Sequence, residues 1–303
     1  ASGYASTAMG DRTTASGDYS TAMGDGTTAT GDSSTAMGNG STATGDSSTA
    51  MGNGSTASGT SSLAIGLSST ASDSHSIAIG RSTTSSGSHS VAMGFGTTAS
   101  GSRSTATGAY TTASDFGSTV IGQYNSSGSS VTGSATAFST ANTAFVIGNG
   151  TASNAKSDAF KVMFNGDTTI GNDATIGNDA TIGNDLTVSG DVVVSSDARL
   201  KSNIVSLGST LSRLLLIDGK SYEMKGKQKI GVLAQEIKEV FPELVTEDDN
   251  EMLAVNYQGL VPVLINALKE QDGKMKEQES KFVKQQSEID ELKELVKQLI
   301  SSK

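Results

Sequence analysis

A short apolar motif recurs along the first 122 residues with constant spacing. Ala-Met-Gly begins at Ala8 and returns every fourteen residues, as Ala-Ile-Gly at Ala64 and as Val-Ile-Gly at Val120. Around it polar and apolar side chains alternate, so that Thr7 and Met9 share one face of a strand and Ala8 lies on the other. Such alternation predicts a short β-strand. A strand that repeats at a fixed short period predicts a solenoid.

A second series of residues marks the turns between these strands. Gly3 and six further glycines lie midway between the apolar motifs, and Asp73 and Asp115 fill the two positions that lack glycine. We interpret this series as turn positions with a left-handed backbone, which glycine adopts freely and aspartate tolerates better than most residues. Each coil is therefore predicted to contain two short strands and two turns.

Methionine recurs on one face of the predicted strands. We expect these side chains to form the apolar core ladder of the solenoid rather than a ligand surface, while the opposite face of small residues allows another backbone to approach closely. The members of this ladder are Met9, Met23, Met37, Met51 and Met93. One coil buries too little apolar surface to offset its ordering entropy, so we expect an obligate oligomer.

The repeats over residues 1–122 resemble the head repeats of trimeric autotransporter adhesins, which have a Ser-x-Ala-x-Gly pattern of period fourteen. The resemblance implies a left-handed parallel β-roll, three of which pack around one axis. The next motif, Val146-Ile147-Gly148, is out of phase with the preceding copies. We therefore interpret Gln123–Phe145 as an inserted loop or a transition that closes the roll, within a transition region at residues 123–168.

A shorter repeat of six residues occupies residues 169–195. Ile170, Ile176, Ile182 and Val188 recur on one line, separated by Gly-Asn-Asp turn residues. This pattern predicts a β-helical stem. It is similar to the triple β-helix stems of phage tail fibres, in which three chains wind together. A flexible linker is the alternative interpretation.

The chain changes character from Ser196 onward, and residues 196–262 are predicted to form a small α+β domain. Lys229–Leu233 has the pattern of a strand, and Ala234–Glu239 has the composition of a helix that stops at Phe241-Pro242. The overall prediction is thus a mainly β fibre with a small α+β domain near its C-terminal end.

Apolar residues recur every seven positions over residues 263–303, which predicts a trimeric coiled coil. Each heptad has two core positions, and glutamine occupies the second of them in three consecutive heptads. Glutamine weakens the core of the coiled coil but can fix its register. We expect a joint at Gly273. The predicted trimerisation residues are Leu268, Met275, Phe282, Ile289, Leu292, Val296 and Leu299.

Three motifs after Ser196 occur together in order: Ser196–Ile204, Gly231–Ile237 with Phe241–Val245, and Val255–Tyr257 with Leu260–Leu264. They resemble the endosialidase-type intramolecular chaperone, a self-cleaving serine peptidase family found at the C-terminus of phage tail spikes. The resemblance implies a trimeric folding clamp that is often released by cleavage at the Ser196-Asp197 junction. It also implies that Ser196 is the nucleophile and Lys201 its general base, in at most a single-turnover autoproteolysis.

The dyad chemistry sets two conditions. A lysine accepts a proton at neutral pH only when burial or neighbouring cations lower its pKa, and Arg199 is close enough in sequence to be a candidate perturber. Attack by Ser196 on its own carbonyl would close a strained four-membered ring. Cleavage after Ser196 therefore requires a neighbouring chain or a water-assisted route, whereas an N-to-O shift cuts before Ser196. The alternative is that Ser196 and Lys201 are solvated linker residues.

Composition and charge narrow the function classes. The 303 residues include 36 Gly and no Cys, which excludes disulfides and thiolate metal sites, and we expect neither a cofactor nor a bound metal. A net charge of −10 disfavours nucleic acid as a partner. No apolar stretch is long enough for membrane insertion. The chain begins inside a repeat without an initiator Met, so we interpret it as a fragment.

Two residue types invite a metal-site interpretation. His75 and His89 fall at equivalent places on adjacent coils, in a column that also holds Tyr, Ser and Arg, as an exposed and tolerant position would. Recurrent aspartates at the turns are predicted to cap backbone amides rather than to bind calcium: Asp11, Asp18, Asp25, Asp32 and Asp46.

Together these patterns predict an extracellular homotrimeric fibre, on a bacterial surface or a virion tail, that adheres to a cell-surface receptor or glycan. Its C-terminal chaperone would drive trimerisation. Two alternatives remain: an uncleaved chaperone that stays as a permanent cap or tip, and a fragment of a depolymerase spike with its enzyme domain upstream.

Overall fold

The computed structural model describes residues 1–176, 180, 182, 186–248 and 250–301. The chain divides into two structural units, residues 1–185 and residues 186–303.

The first unit contains a parallel β-solenoid in which a five-residue strand alternates with a two-residue strand. The long strands are β1 Thr7–Asp11, β3 Thr21–Asp25, β5 Thr35–Asn39, β7 Thr49–Asn53, β9 Leu63–Leu67, β11 Ile77–Arg81, β13 Val91–Phe95, β15 Thr105–Ala109 and β17 Thr119–Gln123. The short strands are β2 Thr14–Ala15, β4 Thr28–Ala29, β6 Thr42–Ala43, β8 Thr56–Ala57, β10 Thr70–Ala71, β12 Thr84–Ser85, β14 Thr98–Ala99 and β16 Thr112–Ala113.

Each long strand pairs in parallel with the next long strand, and the short strands form a second parallel sheet. The register advances by one repeat per coil, so that Ala22 pairs with Ala36 and Met23 with Met37. The repeat therefore stacks identical residues in columns, which confirms the predicted solenoid.

Alanine, and not methionine, fills the interior of the roll. Ala22 and its equivalents on the long strands pack with Ala15 and its equivalents on the short strands, and both columns are fully buried except at Ala8 in the first coil. Met9 is 58% exposed and Met51 half-buried, both on the outer face. The predicted methionine core ladder is wrong because the buried face of the long strands carries alanine, with Val120 and Val146 in the last coils, whereas the methionines lie on the opposite face.

The midway glycine series also has a different role from the predicted one. Gly17 and its equivalents do not have a positive φ, and neither do Asp73 and Asp115. A Cβ atom on Gly17 would lie 2.1 Å from the carbonyl oxygen of Gly31, so the series is glycine because adjacent coils touch there. The left-handed residue of this turn comes two positions later, at Tyr19 with φ 57°.

Val146-Ile147-Gly148, which is out of phase with the repeats in sequence, stacks directly on the preceding repeat motif in the structure. β18 (Thr143–Asn149) pairs in parallel with β17, with Val120 opposite Val146 and Gly122 opposite Gly148. Residues 124–142 thus form an inserted loop within the predicted Gln123–Phe145, and the loop packs on the last coils, where the Ser114 N–H donates to the Gly128 carbonyl at 2.9 Å. β19 (Asp158–Met163) and β20 (Thr168–Ile170) then extend the long sheet in antiparallel order.

The predicted six-residue stem falls partly on residues 177–179, 181 and 183–185, which lie outside the described residues. The described residues from 171 to 195 form no strand, and the side chains of Ile176, Ile182 and Val188 are exposed. The triple β-helix remains a prediction, since its hydrogen bonds would run between three chains.

The second unit combines two hairpins with three helices. Its elements are α1 Leu211–Leu214, β21 Lys220–Met224, β22 Lys227–Gly231, α2 Ala234–Val240, β23 Val245–Glu247, β24 Leu253–Val255 and α3 Leu260–Ser301. Short 3-10 turns cover Ala198–Leu200, Pro242–Leu244 and Tyr257–Gly259. The predicted helix is confirmed as α2, and the strand before it begins and ends two residues earlier than predicted.

A small apolar core holds the second unit together around Ile237, Phe241 and Val263, all nearly or fully buried. The hydroxyl of buried Thr210 donates to the Val263 carbonyl at 2.9 Å. Helix α3 then continues for 42 residues without interruption, so the predicted joint at Gly273 is wrong. A glycine on an exposed helix face weakens the helix but need not break it.

Candidate functional site

The predicted nucleophile and base lie within hydrogen-bonding distance of each other. The Lys201 Nζ atom donates to the Ser196 Oγ atom at 2.7 Å. Between them the 3-10 turn Ala198–Leu200 reverses the chain, and the Asp197 carboxylate caps this turn by accepting from the Arg199 backbone N–H. The local sequence therefore brings together two side chains that are five residues apart.

Arg199 forms an ion pair with the neighbouring Asp197. Its Nε and Nη2 atoms bind the two carboxylate oxygens of Asp197 at 3.0 and 2.7 Å. These bonds lower the pKa of Asp197 and raise that of Arg199. Asp197 compensates the guanidinium charge, and the role of Arg199 as a candidate perturber of Lys201 stays a prediction.

The junction is open to solvent in the single chain. Ser196 and Lys201 are both exposed, and a shallow cleft of about 300 Å³ lined by Asp197, Arg199 and Leu200 lies beside them. A serine hydroxyl bonded to a lysine amine is the arrangement in which the amine can take the hydroxyl proton as the oxygen attacks a carbonyl. Such catalysis also requires that water be displaced from the amine.

The predicted trimerisation residues share one exposed face of α3. Leu268 is 72% exposed and Phe282 is 65% exposed, and the other predicted residues are also exposed: Met275, Ile289, Leu292, Val296 and Leu299. Ion pairs such as Lys281–Glu277 and Lys293–Asp290 occupy other positions of the helix. An apolar stripe of this length on a solvated helix is typical of a coiled-coil seam whose partners are absent.

A carboxylate from α3 holds the N-terminal end of α1. Glu270 accepts from the Ser209 hydroxyl at 2.6 Å, from the Leu211 N–H at 3.2 Å and from the Thr210 N–H. These bonds lower the pKa of Glu270. The sequence analysis missed this contact, because a carboxylate sixty residues from the amide that it caps leaves no local signal.

Arg213 joins α1 to α2 in the same core. Its Nε atom donates to the Val240 carbonyl at 2.8 Å, and its guanidinium lies 4.1 Å from the centre of the Phe241 ring. The cation therefore covers the largest buried ring of the unit while it binds the C-terminal end of α2.

The two histidines of the roll are stacked. Their rings are 4.7 Å apart and almost parallel, and both residues are exposed, as predicted for this column. Within the described residues there is no group of three or more side chains of the ligating types placed to hold a metal ion.

The turn aspartates form a hydrogen-bonded ladder. The carboxylate of Asp18 accepts from the Tyr4 N–H at 2.8 Å, and Asp32 accepts from the Asp18 N–H at 2.9 Å. Asp46 continues the ladder at 3.2 Å from the Asp32 nitrogen. Each carboxylate caps a backbone amide of the preceding coil, so the predicted capping role is confirmed for these residues.

Comparison with known families bears directly on the two halves of the chain. Residues 1–27, 29–55, 57–83 and 85–111 match the YadA head domain repeat, and residues 196–246 match the family described as chaperone of endosialidase. These matches confirm both resemblances seen in the sequence motifs. No curated protein is significantly similar to the chain. Among the described residues, no helix combines the length and apolar character needed to cross a membrane.

Proposed function

We propose that the chain forms a homotrimeric extracellular fibre for adhesion, whose C-terminal domain drives trimerisation and then cleaves the chain at Ser196-Asp197 or, by an N-to-O shift, directly before Ser196. One observation carries the proposal: the chaperone match begins at Ser196, whose Oγ atom lies 2.7 Å from Lys201 Nζ. The two family matches indicate the coarser function, an adhesin-like fibre joined to a trimerisation chaperone.

Two apolar faces support association of three chains. One is the stripe on α3, whose heptad spacing is that of a coiled coil. The other is the outer Met and Ile column of the roll, where residues such as Met23 and Ile79 remain half-buried in a single chain. Continuous apolar surface of this kind marks an interaction site in a soluble protein.

The repeats give a physical reason for a chaperone. Because successive coils present similar column residues, and identical Ala-Met-Gly in the first four coils, one roll can pack against another in several registers, each displaced by a whole repeat. A coiled coil that joins the chains at one end fixes a single register before the rolls fold. Cleavage after assembly would remove the template and leave the fibre kinetically trapped.

The dyad permits two cleavage routes. In an N-to-O shift, Ser196 Oγ attacks the Ser195 carbonyl, the Ser195–Ser196 amide breaks as its nitrogen takes a proton, and water then hydrolyses the ester. In the second route, Ser196 Oγ of a neighbouring chain attacks the Ser196 carbonyl, and Lys201 passes the abstracted proton to the Asp197 nitrogen. Water then releases the acyl group. The two routes differ by one serine at the new terminus.

The test is a denaturing gel with intact mass of the purified trimer, comparing wild type with Ser196→Ala and Lys201→Ala. We expect two fragments from the wild type only, and the fragment masses assign the route. A single full-length species in all three samples would overturn cleavage. It would favour the second candidate, a chaperone retained as a permanent cap, which the solvent exposure of both dyad residues already favours.

A further inference from the structure

One edge of the roll changes character along its length. In the first four coils, the last residue of the long strand and the residue after it are short or charged: Asp11-Arg12, Asp25-Gly26, Asn39-Gly40 and Asn53-Gly54. In the last four coils these positions become larger and include three rings: Arg81-Ser82, Phe95-Gly96, Ala109-Tyr110 and Gln123-Tyr124. We call Arg81, Phe95, Tyr110 and Tyr124 the aromatic strip.

The four side chains of the aromatic strip are in continuous contact. The Arg81 guanidinium lies 5.1 Å from the centre of the Phe95 ring. Phe95 meets Tyr110 edge to face at 4.7 Å, and Tyr110 stacks on Tyr124 at 4.7 Å with the ring planes 13° apart. Phe95 is 36% exposed and Tyr110 is 40% exposed, so the strip is a surface feature.

The roll maintains this strip in an unfavourable backbone conformation. Tyr110 has φ 54° and Tyr124 has φ 42°, whereas Gly26 and Gly40 occupy the same turn position with φ 62° and 63°. A bulky residue in the left-handed region is an outlier that carries a free-energy cost. Room is made for the ring, because a Cβ atom on Gly96 would lie 2.7 Å from Tyr110. Arg12, Ser68 and Ser82 also have a positive φ at this turn position, so the turn accepts side chains. What distinguishes Tyr110 and Tyr124 is that their rings lie in contact.

We propose that the aromatic strip binds an anionic saccharide, an inference that rests on the proposed adhesive function and specifies its ligand. Tyr110 and Tyr124 stack on each other, so each covers one face of its neighbour and offers its ring edge, which carries partial positive charge. Arg81 adds a full positive charge. It is the only charged residue at the strip positions of the last four coils, in a chain of net charge −10.

The hydroxyls of the strip suit a polyhydroxylated ligand. Desolvation and the neighbouring Tyr110 raise the pKa of Tyr124. A tyrosine hydroxyl is neutral at pH 7 and can both donate and accept hydrogen bonds. The strip offers one side chain per coil, with ring centres 4.7 Å apart. This spacing is similar to the repeat of an extended pyranose chain, so each sugar unit can contact one coil.

Glycine substitutions separate binding from folding. Tyr110→Gly/Tyr124→Gly removes both hydroxyls and most of the ring surface of the strip. Glycine adopts a positive φ without steric cost, so the turns can keep their conformation. Tyr19→Gly is the matched control, since Tyr19 also has φ 57° and an aromatic partner, Tyr4, but belongs to the opposite turn. Arg81→Gln tests the charge.

Isothermal titration calorimetry of the full chain in its assembled state would use three probes: tetragalacturonate, a chondroitin sulfate tetrasaccharide and neutral maltotetraose. We expect the wild type and Tyr19→Gly to bind an anionic probe, and the comparison of the first two probes shows whether carboxylate or sulfate is preferred. We expect Tyr110→Gly/Tyr124→Gly to bind about tenfold more weakly, and Arg81→Gln about fivefold more weakly.

Three outcomes would overturn the aromatic strip as a saccharide site. They are no binding of either anionic probe by the wild type, equal binding of maltotetraose, and unchanged binding by the double glycine variant. Sedimentation of the same samples detects a further contradiction: if the double variant loses its oligomeric state, the strip is an interface between copies of the chain. If the wild-type trimer adheres to cells but binds none of the three probes, the saccharide site is wrong while the proposed adhesive function still holds.

Discussion

Ser209 donates its hydroxyl hydrogen bond to Glu270 at 2.6 Å, across sixty-one residues of chain. The same carboxylate accepts from the N–H groups of Thr210 and Leu211, so one α3 side chain fixes the start of α1. This contact anchors the segment that follows the proposed cleavage junction to the helix that carries the predicted trimerisation residues. The charge of Glu270 is therefore part of what holds the chaperone unit together.

The chaperone unit is predicted to lose stability in acid through Glu270. The Ser209 hydroxyl and then the Thr210 N–H lower the folded-state pKa of Glu270 below its ordinary value of 4.5. A carboxyl group with a depressed pKa contributes stability above its unfolded pKa, and this is lost as pH falls through the folded pKa. Urea unfolding at a series of pH values below 5 should show a smaller pH dependence for Glu270→Gln than for wild type. Glu277→Gln, which breaks only an exposed ion pair with Lys281, is the control.

A second prediction concerns the interior of the roll. Ala50 is fully buried between the two sheets, whereas the next residue, Met51, lies on the outer face. We expect Ala50→Leu to destabilise the roll by about 1–3 kcal/mol, because the extra carbons must force the sheets apart. Met51→Leu should change stability by less than about 1.5 kcal/mol. Denaturant unfolding of both variants would test this, and equal effects would contradict an alanine interior.

The alternation of the repeat predicted which residues share a face, but not which face is inside. Thr7 and Met9 do lie on the opposite side from Ala8, as the sequence indicates. The choice of the inner face follows from packing between the long and short strands, whose buried clusters hold alanine and valine and no larger side chain. Hydrophobicity alone favoured methionine, and the packing within the coil reversed that choice.

In the candidate site, too, local contacts could be predicted from the sequence and long-range contacts could not. Ser196 and Lys201 were predictable because a short turn and a family motif both lie within nine residues. The bond from Thr210 to Glu270 and the packing of Arg213 on Phe241 were not, since they join segments whose proximity only the folded unit creates.

Glycines in two columns should respond differently to the same substitution. A Cβ atom on Gly31 would lie 2.1 Å from the Gly45 carbonyl oxygen, whereas the space around Gly40 is open. We expect Gly31→Ala to cost roughly 3 kcal/mol, because a backbone contact between coils must open. Gly40→Ala should cost only about 1–2 kcal/mol, from its positive φ. Thermal unfolding of the two variants side by side provides the measurement, and a larger effect at Gly40 would refute the close-contact explanation.

The α3 face is expected to control oligomeric state. Leu292→Asp places a charge in the predicted seam, and Glu291→Asp alters a neighbouring residue outside the seam. An unpaired carboxylate in an apolar interface should weaken association about a hundredfold or more. Sedimentation equilibrium over a concentration series would report the shift for Leu292→Asp and none for the control. If Leu292→Asp assembles as well as the wild type, the trimer interface does not lie on this face of α3.

The last prediction concerns the turn that forms the dyad. Asp197 caps the 3-10 turn by accepting from the Arg199 N–H at 2.8 Å, and this turn carries Lys201 back to Ser196. Under the proposed cleavage, Asp197→Ala should slow self-processing about fivefold, because loss of the cap makes the folded turn less populated. Asp197→Asn keeps an oxygen that can cap the turn and should process at nearly the wild-type rate.

Arg199→Gln separates the cap from the ion pair, since it leaves the Asp197 carboxylate and the backbone N–H in place. A time course of intact mass after synthesis measures all three variants on one scale. If the turn positions the dyad, the rates of Asp197→Asn and Arg199→Gln stay close to wild type while Asp197→Ala falls. Equal slowing of both Asp197 variants would instead show that the junction requires aspartate itself, because the two variants differ in capping but share the loss of the carboxylate.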